Sequence, residues 1–493
     1  MIKRGRVSAL LRRVQIFQNH TSSRGIIPGP IEEELLPGNR LHLFHQTQPG
    51  QVLDGRFKII VKLGYGASST VWLAENLQFT KSLDIPRYVS IKIAALDIDK
   101  VWETRISKMI AMADPSHDGL SFLRIPIDEF RLETPSGVHG CLVYTPMRTT
   151  LFQLQRTLKR QRLAPPLFKF FLYCLLEAVD YLHTKVKLIH TDIKDDNIMV
   201  TIESDTVLPS FIKSLINSGP LPHSQNDQGR STYLSYGDFG PLKGHKLLPQ
   251  LADFNLACPG LVNGHGHLLP IQSHRFRAPE VLLGCPWSYS ADIWNIGLLM
   301  WNLLEDVSLF GRPAGNDGEY DAHVHLAQMV SLIGDPPEEL IAREQLFRTH
   351  RLEKPIENQR GQECNTMNEY WGGPFFNSEG RIFRDDLINR NNALADTVTE
   401  LMGDEKIQFL DLASSMLQWM PEKRKTGGEL LQHPFFAQIR ERRARWEATI
   451  PSAEPHDLDL ASGRTPGHMI DSLTQSSTKS DQRKPLSSHH KLL

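Results

Sequence analysis

Five cysteines are all that 493 residues contain, and Cys141, Cys174, Cys258, Cys285 and Cys364 fall at no paired spacing. So sparse a set argues against a disulfide framework or a zinc cluster, and fits reduced thiols in a reducing compartment. Long apolar runs are also lacking. The most apolar stretch, 167–182, is interrupted by Lys169, Glu177 and Asp180, which makes it a buried helix rather than a membrane span. Nor is there an excess of charge of one sign. With 55 Lys+Arg against 56 Asp+Glu, neither direct nucleic-acid binding nor a membrane surface is expected. No internal repeat is present.

Acidic residues are missing from the start of the chain, where Lys3, Arg4, Arg6, Arg12, Arg13 and Arg24 all precede Glu32. Val7, Leu10, Leu11 and Val14 recur there at helical spacing, as in a mitochondrial transit peptide, but Ile16 falls on the polar side and a disordered basic extension is the preferred reading, with a transit peptide the alternative. Pro28, Pro30, Pro37 and Pro49 then mark an extended arm with little periodicity. From Phe57 the text turns to strands: "RFKIIVKLGYGASSTVWLAEN" surrounds a glycine turn, and "RYVSIKIAAL" follows. Residues 140–146, "GCLVYTP", form a short apolar strand before a proline, and the chain beyond is mostly helical to about Trp446. Residues 204–246, rich in Ser, Gly, Pro, Asn and Asp, read as an inserted mobile loop, and 451–493 as a tail too polar to fold alone.

The chemistry-bearing residues come in a consistent order. Gly64 and Gly66 with Ala67, Ser68 and Ser69 allow backbone N–H groups to approach phosphate oxygens. Lys92, on an apolar strand, is placed to grip phosphates, with Glu103 on the next helix as its partner and Glu129 and Glu133 as alternatives. "LIHTDIKDDNIMV" sets Asp192, Lys194 and Asn197 on one loop between a helix and a strand. Asp192 can orient a substrate hydroxyl, Lys194 can neutralise a γ-phosphate, and the Asn197 carbonyl can bind a metal. A second metal ligand has two candidates, Asp238 in "GDFG" and Asp253 in "LADFN". Asp253 is preferred, because the apolar "KLLPQLA" before it can form a presenting strand. Asp238 sits in the polar insertion before Pro241 and reads as a decoy. Glu280 with Arg424 is a candidate buried ion pair, and Asp292 a candidate cap for the catalytic-loop backbone. The His265/His267 and His323/His325 pairs read as loop and helix surface rather than metal ligands.

Together these motifs resemble the eukaryotic protein kinase superfamily over roughly residues 54–436, and within it the SR-protein kinases and their fungal relatives. "LGYGASSTVWLA", "HTDIKDDNIMV", "HRFRAPEVLLG", "ADIWNIG" and "PIEEE" carry that likeness. The resemblance implies an α+β, bilobal protein-kinase fold with a small β-rich N-lobe and a large, mainly helical C-lobe. It divides the chain into an extension (1–50), a kinase domain (51–440) and a charged helix end with a disordered tail (441–493). The N-lobe spans about 51–147, the C-lobe about 148–440, and the insertion about 204–246.

The implied activity is transfer of the γ-phosphoryl group of Mg·ATP to Ser or Thr of proteins, Arg/Ser-rich ones in particular, by a monomer in cytoplasm or nucleus. ATP would be held by Leu63, Gly64, Tyr65, Gly66, Ala67, Ser68, Ser69, Thr70, Val71, Lys92, Glu103 and the Met147 backbone, and Mg²⁺ by Asn197 and Asp253. Asp192 and Lys194 would be catalytic, and Tyr144 would stand at the back of the adenine pocket. Thr191 replaces the usual arginine, which implies activity without activation-segment phosphorylation. Asn255 replaces the usual glycine, in a place where Asn tolerates left-handed backbone. Asp195 for proline and Thr145 for an acid are further departures. A pseudokinase scaffold is the alternative, and Asn255 alone favours it. Glu305, Asp306, Asp317, Glu319 and Asp321 are acids available to an Arg-rich substrate, although a run of acids is usually only a solvated face.

Overall fold

The computed structural model describes residues 25–80, 85–98, 100–158, 160–244, 246–260, 266–315 and 317–449. The transit-like segment, His265 and the tail from Pro451 lie outside them. Alternation of apolar residues builds the first layer, an antiparallel six-stranded sheet in the order β1-β2-β3-β4-β6-β5. Its strands are β1 (Val52–Leu53), β2 (Phe57–Tyr65), β3 (Ser69–Asn76), β4 (Tyr88–Ala94), β5 (Asp128–Thr134) and β6 (Gly137–Tyr144). One face buries Phe57, Ile59, Trp72, Ala74, Ile91 and Ile93. The opposite face carries Leu73 and, two residues earlier on the same strand, Val71. Helix α1 (Lys100–Ala113) sends Ile106 and Ile110 into the large core.

After β7 (Met147–Thr150), helix α2 (Pro165–Tyr181) begins on two prolines, tolerated in a first turn whose N–H groups need no intrahelical partner. It ends in a wide turn closed by left-handed Lys187, so that β8 (Leu188–Ile189) delivers the catalytic loop and β9 (Ile198–Thr201) leaves it.

The insertion departs from its expected loop character. Val207, Phe211 and Leu215 recur at i, i+4, i+8 and form the buried stripe of helix α3 (Val207–Asn217), which Gly219 and Pro220 terminate. A hairpin follows, β10 (His223–Gln225) with β11 (Ser231–Tyr233). The stripe and Phe239 bury against Val61 and Leu73 of the sheet, with Phe211 and Phe239 edge to face at 4.7 Å. Those few apolar residues suffice because the sheet supplies the other half of the contact. The arm likewise is not free-running: Ile27, Ile31 and Phe44 are buried, and Ile27 N–H donates to the His223 carbonyl at 2.8 Å.

Strand β12 (Pro249–Leu251) closes a three-stranded sheet with β9 at its centre and β7 beyond. Helix α4 (Ser290–Leu304) is buried from Ala291 to Leu304 and forms the spine of the large lobe. Beside it, Arg424 makes a two-pronged pair with Glu280 at 2.7 and 2.6 Å, both side chains sealed from solvent. Among the described residues no helix is long and apolar enough to cross a membrane.

Candidate active site

Lys92 stands opposite Val71 in the β3–β4 register, so both side chains share the face turned toward the large lobe. Its Nζ donates to Glu103 Oε1 and Oε2 at 2.6 and 2.9 Å. The alternatives are engaged or remote: Glu129 pairs with Lys108, and Glu133 is exposed on the edge strand β5. Tyr144 OH also donates to Glu103, at 3.2 Å, and burial with that carboxylate nearby raises the phenol's pKa. Arg124, a residue sequence reasoning missed, lies over the Tyr144 ring at 4.3 Å and hydrogen-bonds Ser90 Oγ. Its backbone N–H meets the Leu251 carbonyl, which ties the rear of this site to the strand before Asp253.

The glycine turn closes with Gly66 N–H on the Ser69 carbonyl at 2.9 Å. A Cβ at Gly64 or Gly66 would meet nothing within 4 Å, so open space lies beside both. Leu63, Ser68 and Val71 are half-buried, and Tyr65 and Ala67 are exposed. The loop expectation needs one correction. Thr70 is buried on the Trp72 side of β3, its Oγ1 accepting from Trp72 Nε1 at 3.0 Å, because the strand alternation turns it away from Val71. Ser69 is buried too.

In the catalytic loop, Asp292 accepts from the N–H groups of His190 and Thr191 at 2.7 and 2.9 Å. Those bonds fix Thr191 at φ 71°, a left-handed value uncommon for a β-branched residue. Its hydroxyl donates to the Leu256 carbonyl instead of reaching outward as an arginine would. Lys194 Nζ donates to Asp192 Oδ2 at 2.5 Å, and Asn197 Nδ2 donates to the same oxygen at 2.9 Å. Asp192 Oδ1 and Asn197 Oδ1 are left as acceptors. Buried Asp195, in the usual proline's place, starts a short turn that leads to Asn197.

The Ala252 N–H donates to the Asn197 carbonyl at 2.9 Å, which brings Asp253 beside Asn197. Asp253 itself takes φ 68°, and its carboxylate is exposed. Phe254 is buried edge to face with His190 at 5.1 Å. Asn255 does not adopt left-handed backbone: the strained position is Asp253, and Asn255 opens an ordinary turn from Phe254 to Ala257. The exchange for glycine therefore carries no backbone strain. As a donor set, one carboxylate and one carboxamide oxygen suit a hard divalent cation such as Mg²⁺.

Other expectations separate here. Asp238 accepts from its own turn's Gly240 N–H at 2.8 Å and lies on the insertion. Glu305 is buried and accepts from Thr399 and Glu400 backbone N–H groups, Asp306 pairs with Arg156, Asp317 with Arg360, and Asp321 caps a helix. Four of the five acids thus have partners within the fold, because each sits at a loop or helix end that needs a counter-group; only Glu319 among them is an exposed acid without such a bond. His323 meets the Gly372 carbonyl and His325 is buried, and no metal-binding group of three His, Cys, Asp or Glu occurs among the described residues.

The protein kinase domain family matches residues 57–436. The chain belongs to the protein kinase family. A serine/threonine protein kinase of Aspergillus fumigatus is 32% identical over 405 residues, covering 82% of this kinase and 90% of the relative. The serine/threonine-protein kinase SRPK of Physarum polycephalum is 26% identical over 416 residues, covering 80% and 89%. SRSF protein kinase 3 of Homo sapiens is 22% identical over 534 residues, covering 80% and 88%. A kinase-domain crystal structure superposes with a TM-score of 0.55 at 20% identity, over 80% of this kinase and 99% of that chain, a likeness of fold. The enzyme is a serine/threonine protein kinase similar to the SR-protein kinases.

Proposed function

We propose that this kinase transfers the γ-phosphoryl group of Mg·ATP to serine or threonine in Arg/Ser-rich protein segments. The observation that carries the reading is the shared Asp192 Oδ2, which Lys194 and Asn197 hold from two sides while Oδ1 stays available. That oxygen can accept the acceptor hydroxyl's proton as the new O–P bond forms and the bond to the ADP oxygen breaks. Lys194 lies close enough to Asp192 to neutralise the transferring group. Lys92, locked by Glu103, would hold the α- and β-phosphates, and the open glycine turn would cover them. Asn197 and Asp253 would hold Mg²⁺, which would supply positive charge to neutralise that of the phosphates. Thr191, engaged internally, leaves no arginine there for an activation-segment phosphate, which favours activity without that modification.

The substrate class rests on the relatives named as SRPK and SRSF protein kinases, since most of the acids first considered are committed within the fold. The test is radiolabelled transfer from Mg·ATP to an Arg-Ser repeat peptide and to a generic basic protein. Wild type should label serine of the repeat peptide preferentially, and Asp192→Ala should lose about 10²–10⁴ in rate with its melting temperature intact. Equal labelling of both acceptors would remove the substrate class, and an active Asp192→Ala would remove the mechanism.

A further inference from the structure

Arg148 follows the hinge residue Met147 directly, yet it is not a solvent-facing hinge side chain. It is 8% exposed, and its Nη1 donates to both oxygens of Glu203, at 3.0 and 3.3 Å, with the Glu203 side chain fully buried. Its Nη2 donates to the Gly240 carbonyl, in the insertion's turn. Glu203 accepts in addition from the Lys243 N–H at 3.0 Å. The far end of the same turn is fixed to the N-lobe: Tyr236 N–H donates to the Lys62 carbonyl at 2.8 Å, and a Cβ on Gly237 would lie 3.8 Å from the Leu63 carbonyl. Between these anchors, Phe239 buries with Phe211 against Val61 and Leu73, the face of the sheet that also bears Val71.

We propose that residues 236–240 form an outer wall of the nucleotide pocket, and that Arg148 is the positioning residue that clamps this wall to the hinge. The inference rests on the nucleotide reading above. Its physical content is that one anchor adjoins Leu63, which would lie over the adenine, and the other adjoins Met147, which would lie against it. The turn therefore bridges the two lobes across the mouth of the site and holds ceiling and hinge at a fixed separation. A pre-set separation lowers the ordering cost of binding, so the clamp acts on nucleotide affinity rather than on the transfer step. A planar, two-pronged guanidinium is suited to join a carboxylate and a carbonyl at once, whereas a lysine ammonium reaches one.

Calorimetric titration with ADP, beside steady-state kinetics in ATP, tests this on the full chain. Arg148→Met keeps the stem and removes both bonds. ADP affinity should fall about tenfold and the KM for ATP rise in step, with kcat changing less than about twofold. Arg148→Lys should recover part of the affinity. Unchanged ADP affinity in Arg148→Met, whether or not its melting temperature drops, would overturn the clamp and leave the kinase reading intact. Absence of ADP binding by wild type would overturn both. Should Arg148→Met not fold, amide exchange of wild type decides: slower exchange over 236–243 on adding ADP supports the wall, and identical exchange rejects it.

Discussion

Asp238-Phe239-Gly240 and Asp253-Phe254-Asn255 begin with the same two residues and end in opposite circumstances. In both, the phenylalanine is buried in an aromatic edge-to-face contact, Phe239 with Phe211 and Phe254 with His190. The difference lies in what precedes them. Asp253 follows β12, hydrogen-bonded to the strand that leaves the catalytic loop, and left-handed backbone at Asp253 turns its carboxylate outward beside Asn197. Asp238 follows no strand of that sheet; its carboxylate bends back onto Gly240 and its phenylalanine pins the insertion under the N-lobe. Phenylalanine anchors either segment, and only strand support aims the aspartate. In our proposal the more faithful tripeptide is the structural one.

Removal of each carboxylate should break the symmetry most visibly. Asp253→Ala is expected to lower kcat by about 10²–10³, the several kcal/mol a proposed metal ligand would supply, while thermal melting stays near wild type. Stopped activity together with a collapsed melting temperature would mean that Asp253 serves the fold instead.

The next effect is on the other side of the comparison. Phe211→Ala removes the ring against which Phe239 packs, and a buried Phe→Ala change costs about 3–5 kcal/mol. The melting temperature should fall clearly, and Phe211→Leu should recover most of the loss. A melting curve that overlays wild type would show that the insertion contributes nothing to the stability of the small lobe.

How much of this was readable beforehand follows the same division. The catalytic loop, Lys92 with a helix glutamate, Asp292 as a backbone cap and Glu280 with Arg424 depend on residues whose chemistry is local and whose order is fixed. The insertion looked like loop because composition dominated the reading, although Val207, Phe211 and Leu215 carried a helical stripe in plain view. Its burial needs a partner face from the sheet, and no single-segment pattern reports that. Lys62 shows the same gap. It reads as a polar interruption of β2, but is sealed between Glu32, at 2.7 Å, and Glu33 of the arm, whose "EEE" gave no sign of a distant cation. The surplus of acids near Asp317 misled in the reverse sense, since exposed-looking charges were already paired within the fold.

Asp238→Ala should be close to silent. Its single turn bond is exposed, so stability should move by no more than about 0.5 kcal/mol and turnover should stay at the wild-type level. A severe loss of activity would reverse the assignment of the two aspartates.

A further effect separates the arm and insertion from the large lobe by pH. His45 of the arm bonds Thr47 Oγ1 at 2.7 Å and stands edge-on to His139. Arg230 of the insertion, which donates to the Phe44 carbonyl, adds a like charge. Burial first, then His139 and Arg230, press the His45 pKa down to about 4. In the unfolded chain it lies near 6.5, so between those values the unfolded state binds the extra proton. The stability His45 contributes is complete above pH 6.5 and is lost as pH falls toward 4. The pKa of His325 in the large lobe, wholly buried with Arg277 and His274 nearby, is also lowered well below its usual value, with the same sign. Melting temperature should therefore decline from pH 7 to pH 5. His45→Gln should flatten part of that decline and leave the share due to His325. Parallel curves for variant and wild type would mean that the arm does not stay docked with a neutral His45, and would return the whole pH dependence to the large lobe.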